Sequence, residues 1–213
     1  MVDEFDQLDR RERQMQLALQ DIETVLLERR QQRQFVLKQT ALFVTELFNA
    51  LQAVVHECRE RGLTELGEPR LVEHPAGGGR QALYIPIEDW NVTFVPLVGT
   101  ARPNIRDEAQ IPGVLFKQIA GRIVVFIGSD QDSTAFYDFL VLPTGAWFAW
   151  GYGWPRQAST VDETDFKMLA YGLLSSFIKD IFTTWRTREA TTLGAAMDAR
   201  RRVYVFGLPG GDV

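Results

Sequence analysis

Residues 4–61 contain neither glycine nor proline, the two residue types that most often interrupt a helix. The same segment is rich in Gln, Glu, Arg, Leu and Ala, which favour helical backbone. We therefore predict either one long helix or two helices that meet within this segment. A continuous helix would extend roughly 87 Å, at 1.5 Å per residue, which is longer than a domain of this size requires.

The first half of the segment carries an apolar seam with heptad spacing. Its members follow one another at intervals of seven, four, three and four residues: Leu8, Met15, Leu19, Ile22 and Leu26. Glu12 fills the skipped position, and Arg29 and Arg33 occupy the next two. Because such a seam is buried only when another helix packs on it, residues 1–34 are predicted to form a helical stalk with a short coiled coil. The partner is either another protein or a second copy of the chain.

The second half keeps one broad apolar face, at residues 44, 47, 48, 51, 54 and 55. A face of this width is typical of a helix that packs on a folded core. Gly62 is a natural stop because it follows two basic residues and an acid at 59–61. We predict that residues 35–61 are the first helix of a domain.

Beyond Gly67 the apolar residues follow the period of strands. Five strands are predicted, as a group of two and a group of three, at residues 81–87, 92–98, 122–128, 135–142 and 146–152. Short polar connections favour hairpins and hence an antiparallel sheet. Pro86 and Pro96 cannot donate to a ladder, so each is predicted to face an edge or a bulge. A short helix is predicted at 114–120.

The closing helix is predicted from Thr160, which has capping-box spacing to Glu163. Apolar residues then recur every three or four positions, so this helix should be largely buried. The predicted fold class is α+β: a stalk at 1–34, a domain at 35–186 and a C-terminal extension at 187–213 with an edge strand at 203–206. In the domain, the first and closing helices pack on a five-stranded antiparallel sheet.

This order of elements resembles that of GAF-type sensor domains and of roadblock or longin-like (profilin-type) modules. The most similar stretch is 162–170, continued through 177–181, which is similar to the acidic start and apolar continuation of the closing helix in GAF domains. The resemblance covers about residues 35–186, and because the ligand-binding residues of GAF domains vary between members, it assigns no binding role to any residue of this chain. Cys58 is the only cysteine and lies on the first helix, so a covalent bilin or a two-cysteine sensor is not expected.

Charge and composition exclude several classes of protein. The formal net charge is −5, from 23 basic and 28 acidic residues, so a global basic footprint for nucleic acid is missing. A lone cysteine cannot form an internal disulfide, and the charged N-terminal residues do not resemble a signal peptide. We expect a cytoplasmic protein with no membrane partner.

Metal-ligating and catalytic side chains are scarce. His56 and Cys58 lie two positions apart on a helix, about 200° around its axis, so they cannot converge on one metal ion. His74 lies in a loop with only Glu73 beside it, which is a poor ligand set. Neither a metal nor a cofactor is expected.

Three further patterns have simpler explanations than a ligand site. The glycines at 77–79 follow a predicted helix and lead into a strand, whereas a phosphate loop opens a helix. Asp130 and Asp132 lack the glycine and the glutamate of a calcium loop. The run at 165–167, with Asp138 upstream, is half of a nuclease signature but falls at a helix start, where acids are expected.

The strongest anomaly is the run 147–156, in which five of ten residues are aromatic. In a strand, residues 148, 150 and 152 share one face and residues 147, 149 and 151 share the other. The face with residues 148, 150 and 152 is entirely aromatic, so we expect that face to pack under a helix. The alternative is a ligand or partner site, whose candidate residues are Trp147, Trp150, Tyr152, Trp154 and Arg156.

These observations favour a non-catalytic regulatory or assembly subunit. It would oligomerise or dock through its N-terminal helix and bind a protein partner or small ligand through its α+β domain. Two alternatives remain open. One is an enzyme whose site forms only in the fold, from Arg122, Asp138 and Arg156. The other is nucleic-acid binding through the basic side chains of the stalk: Arg10, Arg11, Arg13, Arg29, Arg30 and Arg33.

Overall fold

A computed structural model describes residues 2–97, 121–129, 132–142, 144–150 and 159–186 of the chain. By its internal contacts the chain divides into two units, residues 1–35 and residues 36–213. Three sequence predictions fall outside the described residues: the helix at 114–120, the extension at 187–213 and its edge strand at 203–206.

The segment without glycine or proline forms one helix, α1, at Val2–Glu60. The sequence left open whether this segment holds one helix or two. In the first unit, every residue from 10 to 35 is exposed. In the second unit, α1 buries an apolar stripe and ends before Gly62, whose φ of 89° gives the left-handed turn that commonly follows a helix.

Within the described residues, the second unit contains a seven-stranded antiparallel sheet in which each strand pairs with the next along the chain. The strands are β1 (Arg70–Glu73), β2 (Gln81–Ile87), β3 (Trp90–Leu97), β4 (Gly121–Ser129), β5 (Asp132–Val141), β6 (Ala146–Trp150) and β7 (Ser159–Thr160). A second helix, α2, spans Phe166–Arg186. A single 3₁₀ turn, Pro75–Gly77, lies between β1 and β2.

The sheet has seven strands rather than the five that the sequence predicts. The two additional strands are the edge strands β1 and β7. β1 is four residues long and mostly exposed, so it lacks apolar alternation, and β7 has only two residues. Both form because they pair with a neighbouring strand, which a local sequence pattern does not reveal. The glycine loop at 77–79 accordingly follows a strand, not a helix.

Pro86 and Pro96 lie in strands that have a neighbour on either side, but each lies where the ladder with one of those neighbours has ended. Pro86 pairs with Asn91 of β3 but lies beyond Tyr84, the last β2 residue that pairs with β1. Pro96 likewise pairs with β4, beyond the end of the β2–β3 ladder. Each proline therefore lies outside the named ladder on one side, and there Pro86 uses only its carbonyl, which accepts a hydrogen bond of 2.9 Å from the Gly67 amide.

The main core lies between one face of the sheet and the two helices. Residues Phe43, Leu47 and Leu51 of α1 and Leu173 and Phe177 of α2 are fully buried there. The central strands contribute alternate residues to the same cluster: Leu83, Ile85, Ile87, Val92, Phe94, Ile123, Val125, Ile127, Phe139 and Val141. Helices at both ends of the domain sequence therefore cover a single face of the sheet; the sequence predicts that both helices pack on the sheet, but not that they share a face.

The opposite sheet face is also buried, around Ala82, Val95, Leu97, Val124 and Phe126. Part of its cover comes from the β1–β2 connection, in which the His74 ring stacks on Phe126 with centroids 4.8 Å apart. Burial on both faces explains why β3 and β4 read as nearly continuous apolar runs.

The closing helix begins later than predicted. Asp165 caps it, because its Oδ1 accepts a hydrogen bond of 2.9 Å from the Met168 amide. Thr160 ends β7 instead, and its hydroxyl donates to Glu163 at 2.8 Å. The capping-box spacing therefore marks a turn between strand and helix, not the first turn of the helix.

Candidate functional site

The seam residues on α1 lie at the surface of the first unit. Met15, Leu19, Ile22 and Leu26 are 50–66% exposed. Leu8 falls within α1, and its side chain is outside the described residues. Three more large apolar residues of the same segment are exposed to a similar extent, and the heptad pattern misses them: Leu17, Val25 and Leu27. Seven large apolar side chains between residues 15 and 27 of α1 are thus at least half exposed.

The basic residues proposed for nucleic acid also lie on this helix. All six of them, Arg10, Arg11, Arg13, Arg29, Arg30 and Arg33, are exposed. Acids at 12, 21, 23 and 28 are interleaved with them and are equally exposed. The helix surface therefore carries charge of both signs around the apolar seam.

The face of strand β6 that packs against the helices is not the one that the sequence predicts. Trp147 and Ala149 belong to the core beneath the helices, whereas Phe148 lies on the other, buried face. The register explains the difference, because β6 pairs Ala149 with the core residue Phe139 of β5.

Trp147 is 7% exposed and is held on several sides. Its ring lies 4.9 Å from that of Phe43, and its Nε1 donates to Thr164 Oγ1 at 2.7 Å. Trp150 pairs in β6 with Asp138. The remaining candidates, Tyr152, Trp154 and Arg156, lie outside the described residues. Of the aromatic candidates, Trp147 is thus part of the packed core.

Arg122 and Asp138 form a buried ion pair on the second sheet face. Nε and Nη2 of Arg122 donate to the two carboxylate oxygens of Asp138, at 2.5 and 3.1 Å, and both side chains are 1% exposed. The antiparallel pairing sets Arg122 opposite Leu140 and Asp138 opposite Val124, so the two groups meet diagonally across β4 and β5. The structure brings together two of the three residues proposed for an enzyme site, and Arg156 lies outside the described residues.

A groove of about 310 Å³ lies beside the end of the main core. Its lining is mostly apolar, with two carboxylates: Leu63, Glu65, Leu66, Ile87, Glu88, Ile178 and Phe182. The segment after α1 forms one wall because the Glu88 amide donates to the Glu65 carbonyl and Arg59 donates to the Leu66 carbonyl. The sequence carries no local signal for this groove, because its walls come from three segments that are distant in the chain.

Glu57 of α1 connects to α2 through Lys167, whose Nζ lies 3.0 Å from Glu57 Oε2. The pKa of Glu57 lies below its usual value because Tyr171 and Lys167 donate hydrogen bonds to the carboxylate. The same contacts raise the pKa of Lys167 and of Tyr171. The three residues of the nuclease pattern each have a different partner in the structure. Lys167 pairs with Glu57, Asp165 caps α2 and Asp138 pairs with Arg122.

The histidines and the cysteine do not converge in the parts of the chain that the structure describes. There, no group of three or more His, Cys, Asp or Glu side chains could hold a metal ion. His56 lies 3.2 Å from Glu60 on the helix surface, and Cys58 is half-buried. Burial lowers the pKa of His74. Within the described ranges, no helix combines the length and apolarity that a membrane crossing requires.

Comparison of the chain with protein-family models, with curated proteins and with solved structures gives no significant match. The resemblance to GAF-type and roadblock or longin-like domains therefore remains a prediction from the sequence.

Proposed function

We propose that this protein is a non-catalytic assembly or regulatory subunit that self-associates or docks through the N-terminal part of α1. The observation that carries the proposal is the exposed apolar seam. Met15, Leu19, Ile22 and Leu26 each leave at least half of their surface in water. Complete burial of a fully exposed side chain of this size gains roughly 1.5–3 kcal/mol, so each of these side chains would gain about half of that under a second helix.

Light scattering on the full chain tests this proposal. The substitution pair Leu19→Glu and Leu26→Glu places charges on the seam and should convert an oligomer into a monomer at micromolar concentration. Leu17→Glu is the matched control, because Leu17 is 61% exposed but lies outside the heptad positions. It should leave the mass unchanged. A wild-type chain that is monomeric at these concentrations would contradict the proposal that the protein self-associates.

The α+β domain is proposed to bind a protein partner or a small ligand. Two regions support a binding role: the groove between Leu63 and Phe182, and the aromatic run that leads to Trp154 and Arg156. Native mass spectrometry of the protein purified from its own host tests this role by identifying a bound small molecule. Phe182→Glu should remove a molecule held in the groove, and Trp154→Ala should remove one held at the aromatic run. A protein that carries neither would contradict the small-ligand form of the proposal.

Nucleic-acid binding through the exposed arginines of α1 is a second candidate. A chain that neutralises phosphates with these side chains releases counterions, so its affinity falls steeply with salt. Titration of a fluorescent duplex at two salt concentrations decides this point. Affinity that does not change with salt would remove the candidate.

A further inference from the structure

The seam on α1 has a charge pattern that selects the orientation of its partner. Between Met15 and Leu26 every seam position is apolar, whereas the positions just outside are acidic on one side and basic on the other, at Glu12 and Arg29. Every one of these side chains is exposed in the first unit. We infer that the seam binds a second copy of the same helix running antiparallel, with Glu12 of each copy against Arg29 of the other.

The heptad register supports this pairing at the layers from Glu12 to Arg29, beyond which Leu8 falls opposite Arg33. In an antiparallel pair that sets Leu19 opposite Ile22 of the second copy, Met15 falls opposite Leu26 and Glu12 falls opposite Arg29. The apolar layers are thus continuous and are closed at both ends by an attraction between opposite charges. Electrostatic complementarity of this kind fixes orientation and register more than it adds affinity.

The parallel alternative places like charges together. In a parallel, in-register pair each residue faces its own copy, so Glu12 would face Glu12 and Arg29 would face Arg29. Each contact is repulsive and lies at the edge of the seam, where part of its hydration is lost. The charges therefore disfavour the parallel pair as well as favouring the antiparallel one.

The flank of the seam agrees with the antiparallel pair. Val25 is 57% exposed and lies beside the seam, as does Ala18. Antiparallel packing sets Val25 next to Ala18 of the second copy and extends the apolar centre. In a parallel pair Val25 would instead lie beside Arg30, and Ala18 beside Glu23. One arrangement satisfies both the seam and its flank.

This inference rests on the proposed self-association, and disulfide trapping separates the two. Cys58 is first replaced by Ala, so that the full-length chain contains no other thiol. Two single-cysteine chains are then made, Met15→Cys and Leu26→Cys, and oxidised alone and as a mixture. The antiparallel pair predicts a disulfide between residues 15 and 26 in the mixture and no disulfide dimer of either chain alone.

The possible outcomes distinguish failure of the orientation from failure of the assembly. A symmetric disulfide of either chain alone would overturn the antiparallel inference and leave self-association standing. A wild-type chain that is monomeric by light scattering would overturn both. Leu17→Cys serves as the control for random collision and should remain reduced under the same conditions.

Charge reversal gives a second measurement that needs no cysteine. Glu12→Arg or Arg29→Glu alone sets like charges together at both ends of an antiparallel pair and should weaken dimerisation about tenfold. The double variant Glu12→Arg with Arg29→Glu restores both attractions and should recover the wild-type dissociation constant. In a parallel pair each residue faces its own copy, so neither single change alters the number of repulsive contacts. Equal affinities for the wild type, the two single variants and the double variant would therefore contradict the inference.

Discussion

Gly121 begins β4 directly against Thr40 of α1. A Cβ added at Gly121 would lie 2.6 Å from Thr40 Cγ2 and 2.9 Å from its Cβ. Thr40 cannot easily move away, since it is buried and its hydroxyl donates to the Val36 carbonyl at 2.9 Å. The close approach of a strand to a helix thus depends on the missing side chain of one residue.

Gly121→Ala is therefore expected to destabilise the protein by about 1–3 kcal/mol, as overpacked cores generally do. Urea unfolding measures the change. Adding Thr40→Ala removes the closest side-chain atoms and should recover part of the loss. Gly77→Ala is the control, because its added Cβ would meet Val95 at an ordinary 3.5 Å. An unchanged midpoint for Gly121→Ala would contradict the packing described.

The Arg122–Asp138 pair is the second determinant at the residue scale. Asp138→Asn replaces the carboxylate that both Nε and Nη2 of the buried guanidinium contact by a neutral amide, and should cost about 3–5 kcal/mol of stability because the attraction between the two buried charges is lost. Replacing both residues by apolar ones, Arg122→Met with Asp138→Leu, should cost far less. A double-mutant cycle in urea isolates the coupling, and additive effects would show that the two side chains do not stabilise each other.

At the scale of elements, the two helices are held together by the core and also by Glu57. Its pKa is lower in the folded protein than the ordinary 4.5, so its interactions add stability above that pH. This stability is lost as the pH falls through the lower, folded pKa, because the carboxylate then takes up a proton.

Glu57→Gln removes this contribution at neutral pH. Its urea midpoint should therefore lie below that of the wild type at pH 7, and the two midpoints should converge in acid below the folded pKa of Glu57. Glu65→Gln controls for the loss of one negative charge. If the difference in urea midpoint between the wild type and Glu57→Gln does not change with pH, the carboxylate is not stabilised by Lys167 and Tyr171.

The elements also differ in how well the sequence predicts them. The strands β2 to β6 were predicted near their true positions because each alternates or runs apolar against a buried face. The edge strands β1 and β7 were not, because only pairing with a neighbour makes them strands. The start of α2 was misplaced because Thr160 and Glu163 satisfy the same local spacing in a turn.

At the scale of the whole molecule, the two units differ in how their helical residues are stabilised. Residues 10–35 are exposed throughout, whereas Phe43, Leu47, Leu51 and Val54 are completely buried. An exposed helix without tertiary packing is only marginally stable and opens readily. Self-association of the seam would therefore protect residues 10–35 and leave the packed part of α1 unchanged.

Hydrogen exchange read by mass spectrometry tests this expectation. Peptides within 10–35 should take up less deuterium as the protein concentration rises, and peptides within 43–58 should show slow, concentration-independent uptake. The seam variant Leu19→Glu with Leu26→Glu should abolish the concentration dependence. Uptake in 10–35 that is the same at every concentration would indicate that this helix has no partner of its own kind.

The sequence alone determined the helical backbone of residues 4–61, their apolar seam and the α+β class, because each follows from local properties: the absence of glycine and proline, and the period of apolar residues. That this segment is a single helix was decided by the structure. Only the tertiary structure decided the partners of the remaining groups. Arg122 meets Asp138, β1 and β7 find their neighbours, Trp147 faces the helices, and the groove walls come from 63–66, 87–88 and α2. These contacts join residues that are far apart in the chain. The residues are brought together by strand register and helix docking, which no local sequence pattern encodes.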